Sequence, residues 1–161
     1  MFEITENAIH TDPKEFFRAE PEELAQIVPT LDRRLFGPNG EATLVFRCYA
    51  LRTSQHTIMV DTCLGNDKKR PMERGNMLKT AFLEDLSKGG VEPESVDYVF
   101  CTHLHFDHVG WNTRLENGKW VPTFPNAKHL FRQKEYDYWT TEAAQEWGRA
   151  VMADSVAPIV V

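Results

Sequence analysis

The stretch Val96-Asp97-Tyr98-Val99-Phe100-Cys101-Thr102-His103-Leu104-His105-Phe106-Asp107-His108-Val109-Gly110 joins a run of strand-forming residues to a dense cluster of metal-binding side chains. Val96 to Thr102 (VDYVFCT) reads as a short buried strand. Directly after it, His103, His105, Asp107 and His108 put four candidate ligands into six positions. With six histidines and nine aspartates in 161 residues, the pattern HxHxDH arises by chance in about 5 of 10,000 such chains. In an extended segment, residues two apart project to the same side, so His103 and His105 can grip one ion together. Their spacers, Leu104 and Phe106, then point the other way, into apolar packing. Asp107 and His108 are adjacent and must diverge, which suits a second ion beside the first. Neutral imidazole and carboxylate favour Zn²⁺ and allow Fe²⁺, Mn²⁺ or Co²⁺. Any one of these side chains alone would be an ordinary core or surface group. Four packed this densely need a cation to satisfy them.

Working outward, Ala42 to Arg52 (ATLVFRCYALR) is rich in β-branched and aromatic residues and predicts a strand. Thr53-Ser54-Gln55 turns the chain, and His56 to Thr62 (HTIMVDT) predicts the returning arm of a hairpin. Met77 to Lys88 places Leu78, Ala81, Phe82 and Leu86 at helical spacing, with Gly89-Gly90 as its stop. Asn117-Gly118 is a strong two-residue hairpin signal between Thr113-Leu115 and Lys119-Val121. Ala127 to Arg132 predicts another strand, Gln133 to Trp139 a helix, and Glu142 to Met152 a second helix with Ala144, Trp147 and Val151 on one face. Residues 1–40 read as an irregular extension with short helices at Pro13-Phe17 and Pro21-Ala25, each with Pro near its first turn. Alternating strands and helices define an α/β (α+β) class, a mixed sheet covered by helices.

Composition narrows the function. The chain is 42% hydrophobic and 11% aromatic, enough to build a core. Its 18 Lys and Arg against 24 Asp and Glu give a net charge of −6, without the cationic stripe that a nucleic-acid partner requires. No apolar run reaches the roughly 20 residues that cross a bilayer, and the acidic start MFEITEN lacks the order of a signal peptide. Three scattered cysteines, Cys48, Cys63 and Cys101, make neither a disulfide framework nor a CxxC clip. The expected setting is soluble, reducing and cytoplasmic.

The segment THLHFDHVGWN resembles the HxHxDH signature of the metallo-β-lactamase-fold hydrolases. The similarity extends upstream to Ile58-Met59-Val60-Asp61-Thr62 and downstream through Phe124-Pro125-Asn126-Ala127, covering residues 42–155. It is greatest to the branch of N-acyl-homoserine lactonases and organophosphate hydrolases. The resemblance implies one αββα sandwich, of which 1–161 would be the N-terminal half. It also implies a dinuclear site, with His103 and His105 on the first Zn²⁺ and Asp107 and His108 on the second. A metal-activated hydroxide would attack a small ester, lactone or organophosphate. Asp107 would orient it or pass a proton to the leaving group. Asp61 resembles a family residue beneath the metals that holds a ligand imidazole by its other nitrogen; as a strand-end acid it needs no such role.

The family's third histidine, bridging aspartate and last histidine are not matched. After His108 the chain has one more histidine, His129, whose setting AKHLFR predicts a strand-surface residue; His10 and His56 are expected to be solvated. The apolar end Ser155-Val161 resembles a mid-domain stretch, so the chain is expected to be a truncated domain with an exposed sheet face, prone to form a homodimer. Cys63 replaces a common Gly and reads as a small buried hydrophobe or a soft extra ligand. Trp111 is expected to line a substrate pocket or to pack the loop. A metal-dependent hydrolase of small esters or lactones is the first reading. A catalytically incomplete metal-binding fragment is the second, and a nuclease of the same superfamily the third, opposed by the acidic charge.

Overall fold

A computed structural model of the chain describes residues 1–141 and 146–160, and it places a strand, β1 (Phe2–Thr11), where irregular structure is expected. FEITENAIHT carries Glu, Asn and Ala among its strand formers, so local preference gives little sign of it. The strand is held from outside. Ile4 and Ile9 are buried, and β1 stands beside β2 (Ala42–Arg52) in the sheet order. The two short helices follow as α1 (Pro13–Phe17), capped by the Asp12 carboxylate on the Lys14 amide at 2.8 Å, and α2 (Pro21–Ile27), closed by a Glu20–Glu23 capping box. Proline at the first helical turn sacrifices no hydrogen bond there.

Two compact units are distinct, Asn7–Val45 on its own and Met1–Glu6 together with the chain from Phe46 onward. The latter carries the candidate site. Within it β2 turns at Thr53, whose hydroxyl accepts from the amides of Gln55 (3.1 Å) and His56 (2.8 Å). The chain returns antiparallel as β3 (Thr57–Val60), with Tyr49 opposite Val60 and Arg52 opposite Thr57.

Beyond β3 the pairing becomes parallel, which requires a crossover. That connection contains α3 (Phe82–Lys88) and leads into β4 (Tyr98–Phe100), which lies beside Ile58–Val60. The helix starts five residues later than Met77, the expected first residue, because 77–81 are engaged elsewhere. The Met77 amide donates to Lys68 O at 2.8 Å, Leu78 O accepts from the Asp67 amide at 3.1 Å, and the Thr80 amide donates to Asn66 Oδ1 at 2.8 Å. The hairpin of β5 (Thr113–Glu116) and β6 (Lys119–Pro122) turns on Asn117 and Gly118, both left-handed at φ 50° and 77°. β7 (Lys128–Leu130) then adds to β4 in parallel, giving a mixed sheet of order β1-β2-β3-β4-β7.

Met59 and Val99 are fully buried in one cluster with Phe82, Leu86, Val91 and Val96. Cross-strand partners Phe100 and Leu130 are exposed at 46% and 45%. Helices α4 (Gln133–Trp139) and α5 (Glu146–Val151) follow, and α5 continues as a wide π turn over Met152–Val156. Part of the helix expected over 142–152, with Ala144, lies outside the described residues. A Cβ on Gly148 would fall 2.4 Å from the Trp139 ring, so glycine lets α5 close on Trp139. Among the described residues no helix is long and apolar enough to cross a membrane.

Candidate metal centre

The ends of the parallel strands β3 and β4 open into two loops, 61–65 and 101–111, that interlock through their backbones. The Asp61 amide donates to Phe100 O at 2.9 Å, and the Thr62 amide to His108 O at 2.7 Å. In return, the Gly110 amide donates to Cys63 O at 2.7 Å and the Trp111 amide to Thr62 O at 2.8 Å. The fit leaves no room for a side chain at Gly110, whose Cβ would sit 2.0 Å from the Leu64 carbonyl. It also holds Asp61 and Cys63 at φ 58° and 48°. Non-glycine residues resist that region, and such strain concentrates at functional sites.

From this frame Asp61 reaches both candidate ligands nearest to it. Its carboxylate accepts from the Thr102 amide at 2.7 Å and the Thr102 hydroxyl at 2.9 and 3.0 Å. His108 Nδ1–H donates to Asp61 Oδ2 at 2.8 Å. His103 Nδ1 lies 3.1 Å from the Thr102 oxygen. Because that hydroxyl gives its proton to Asp61, the His103 Nδ1–H must be the donor, which leaves the Nε2 lone pair free. One carboxylate thus orients two imidazoles, one directly and one through Thr102.

The rings crowd together. His103 and His108 have centroids 3.9 Å apart, and His103 and His105 4.5 Å. His105 stands edge-on to Trp139 at 5.6 Å and Trp147 at 5.5 Å. Leu104 is buried and Phe106 packs edge-on to Trp147 at 5.6 Å, so the spacers do turn into apolar packing. Asp107 Oδ2 lies 3.4 Å from His108 Nε2. Burial and the neighbouring imidazoles hold the His103 pKa below its ordinary value. Burial works on His108 in the same sense, but the hydrogen bonds and charges of Asp107 and Asp61 outweigh it and raise that pKa to about 9. Burial likewise opposes ionisation of Asp107, and His108 overcomes it and lowers the carboxyl's pKa.

The donors fit a divalent cation in chemistry: neutral imidazole on His103, a second imidazole and a carboxylate facing each other at His108 and Asp107. As they stand, no group of three or more His, Cys, Asp or Glu among the described residues meets at one point to hold a metal ion. His108 directs both of its nitrogens at carboxylates instead.

Other expectations fare differently. Trp111 takes the packing alternative: it is 4% exposed, stacked on Phe82 at 5.0 Å, and its indole N–H donates to Glu6 Oε1 at 2.6 Å. A large flat ring next to Gly110 buries more apolar surface inward than it would at the loop surface. Cys63 is fully buried, its thiol pKa raised by Cys48 and by burial. His129 lies in β7 as expected, but half-buried, with its ring turned inward. Its Nε2 is buried without a hydrogen-bond partner, and burial lowers its pKa to about 4. Thr102 and Glu6 escaped the sequence reading altogether. For Thr102 the signal was present, a hydroxyl one residue before the first histidine.

A model of the metallo-beta-lactamase superfamily matches residues 47–160, and the chain belongs to that family. It is 32% identical over 101 residues to the N-acyl homoserine lactonase AiiA of Bacillus thuringiensis subsp. kurstaki, spanning 55% of this chain and 40% of that one. It is 41% identical over 49 residues to the lactonase AttM of Azorhizobium caulinodans, spanning 30% and 15%. Among solved structures, AidC, a dizinc quorum-quenching lactonase in complex with a product, superposes with a TM-score of 0.71 at 20% identity, over 99% of this chain and 56% of AidC. The hydrolase AbOPH gives 0.71 at 19% identity, over 97% and 53%. At such identities the structures establish the fold alone. The chain spans less than half the length of these curated relatives and about half that of the solved chains.

Proposed function

We propose that this chain contributes His103, His105, Asp107 and His108 to the metal centre of a hydrolase of small esters or lactones, with organophosphates as related substrates. His103 and His105 would hold one ion, and Asp107 and His108 a second, with Zn²⁺ favoured by the donors. The observation that carries the reading is the reach of Asp61 to His108 directly and to His103 through Thr102, at 2.7 to 3.1 Å throughout. A carboxylate behind a ligand imidazole fixes its tautomer and raises its basicity. The lactonase relatives support a small acylated substrate.

When bound, the cations supply Lewis acidity and an acidified water. The residues do the rest. Asp61 keeps the two imidazoles from rotating, Trp139 and Trp147 wall His105, and Asp107, half-buried beside His108, is placed to hold or pass a proton at its Oδ atoms. Trp111 packs the loop behind His108.

One observation favours the second reading, a metal-binding module without turnover: among the described residues no three donors share a point. Zinc content after dialysis, with hydrolysis of a nitrophenyl ester and of an N-acyl homoserine lactone, separates the two. The 161-residue chain is expected to retain zinc, and His105→Ala to lose at least half of it. Zinc retention without turnover of either substrate selects the module. Equal zinc in the chain and in His105→Ala, or none in either, refutes the metal centre.

A further inference from the structure

Glu6 lies forty residues before the segment matched by the family, yet its side chain ends between the two loops that carry the candidate site. Its Oε2 accepts from the Leu64 amide at 2.6 Å. Its Oε1 accepts from the Gly65 amide at 3.2 Å, the Trp111 indole at 2.6 Å and the Thr80 hydroxyl at 3.2 Å. Leu64 and Gly65 are buried, so their amides need an internal acceptor, and this carboxylate supplies it. The two amides and the indole are obligate donors, and a carboxylate can accept from all three; the Thr80 hydroxyl lies equally 3.2 Å from Asn66 Oδ1.

The consequence lies upstream of each partner. Leu64 follows Asp61 by three positions, and Trp111 follows His108 by three. Glu6 therefore clamps the loop leaving Asp61 to the segment leaving His108, at the far side of the backbone bonds that join Thr62 to His108 and Trp111 to Thr62. We infer that Glu6 is a positioning residue that sets the Asp61–His108 pair through these two loops. The inference rests on the metal-centre reading above for its bearing on catalysis, but not for the geometry itself.

Glu6→Gln is the direct probe, since it keeps the shape and sets an amide NH₂ against donors. Amide hydrogen exchange on the metal-free chain reads position apart from stability, because global destabilisation raises exchange everywhere, whereas loosening of the clamp does so locally. Exchange at Thr62, Gly110 and Trp111 is expected to rise at least tenfold, while the β2–β3 ladder stays within twofold. Zinc affinity is expected to fall at least tenfold. If Glu6→Gln does not fold, Trp111→Phe severs the same clamp at its other end and keeps the stack on Phe82; the same local pattern is expected. Uniform change in exchange, or none at the three amides, overturns the inference. Local loosening in a chain that binds no zinc in its unaltered form overturns the metal-centre reading and leaves the positioning of the pair standing.

Discussion

Replacing Lys68 by methionine should remove a large pH-dependent contribution to stability between neutral and alkaline pH. The Lys68 ammonium is wholly buried, donates to Thr113 Oγ1 at 2.7 Å and Asp154 O at 3.1 Å, and lies 3.8 Å over the Trp120 ring. Burial pulls its pKa from 10.5 to about 7, with the Asp154 charge resisting and the Arg70 charge assisting. The unfolded chain keeps this proton up to the ordinary lysine value, whereas the folded chain gives it up from about 7. Between those limits the unfolded state binds more protons, so stability rises with pH. Below about 7 both states are charged and the slope vanishes. At about 1.4 kcal/mol per pH unit, the whole window amounts to a stability change on the order of 5 kcal/mol. The portion between pH 7.5 and 9.5 is roughly 2.5 kcal/mol by the same conversion. Urea unfolding of both chains at several pH values in that range measures it, since every other titrating group is common to the two and cancels in the difference. The original chain is expected to gain roughly 2 to 3 kcal/mol on Lys68→Met from pH 7.5 to 9.5. The lost hydrogen bonds of the methionine chain shift its curve by a constant and do not alter the slope. Stability curves that run parallel to within about 0.5 kcal/mol would refute the reasoning.

Two glycines give sharper steric tests. Gly110→Ala drives a methyl group to 2.0 Å from the Leu64 carbonyl; backbone on both sides cannot yield cheaply, so a loss of about 3 kcal/mol or more is expected, read as the urea midpoint. Gly148→Ala meets the Trp139 ring at 2.4 Å, a side chain that can move, so the cost is about 1 to 3 kcal/mol, with a shift in tryptophan fluorescence as the indole is displaced. An unchanged spectrum would mean that α5 does not close on Trp139.

What was legible in the sequence was local. The hairpin of β2 and β3 and the strand before His103 are written in adjacent residues, and Asn117-Gly118 forms its turn with both residues left-handed. The four ligand candidates announced themselves by density within six positions. What was not legible depends on distant partners. Glu6 meets Trp111 across 105 positions and Asp61 meets Thr102 across 41, and no periodicity encodes either. β1 escaped because its strand character comes from a neighbour and from burial of Ile4 and Ile9, against the preferences of Glu, Asn and Ala. The late start of α3 has the same cause: the helical spacing of 77–81 is real, but the loop at 66–68 claims their backbone groups. Trp111 was readable as either wall or packing, and the unseen acceptor on Glu6 decided it.

The crowding of three imidazoles would be unfavourable if all were protonated, since His103 and His108 have ring centroids only 3.9 Å apart and like charges repel. The fold resolves it by giving neighbouring rings different proton affinities. His103 is held below its ordinary pKa and stays neutral near pH 7, while His108, between Asp61 and Asp107, is held well above it. The asymmetry follows from burial and from where the two carboxylates sit. Asp107 and Asp61 both bear directly on His108, whereas Asp61, left-handed at the end of β3, meets His103 only through the Thr102 hydroxyl, and there burial and the neighbouring imidazoles outweigh the carboxylate charges. A neutral His103 presents a free Nε2, and an adjacent carboxylate–imidazole pair already shares a cation in the form of a proton. On the proposed metal-centre reading, His103 would be the ring free to accept a metal, and His108 would have to give up its shared proton to do so.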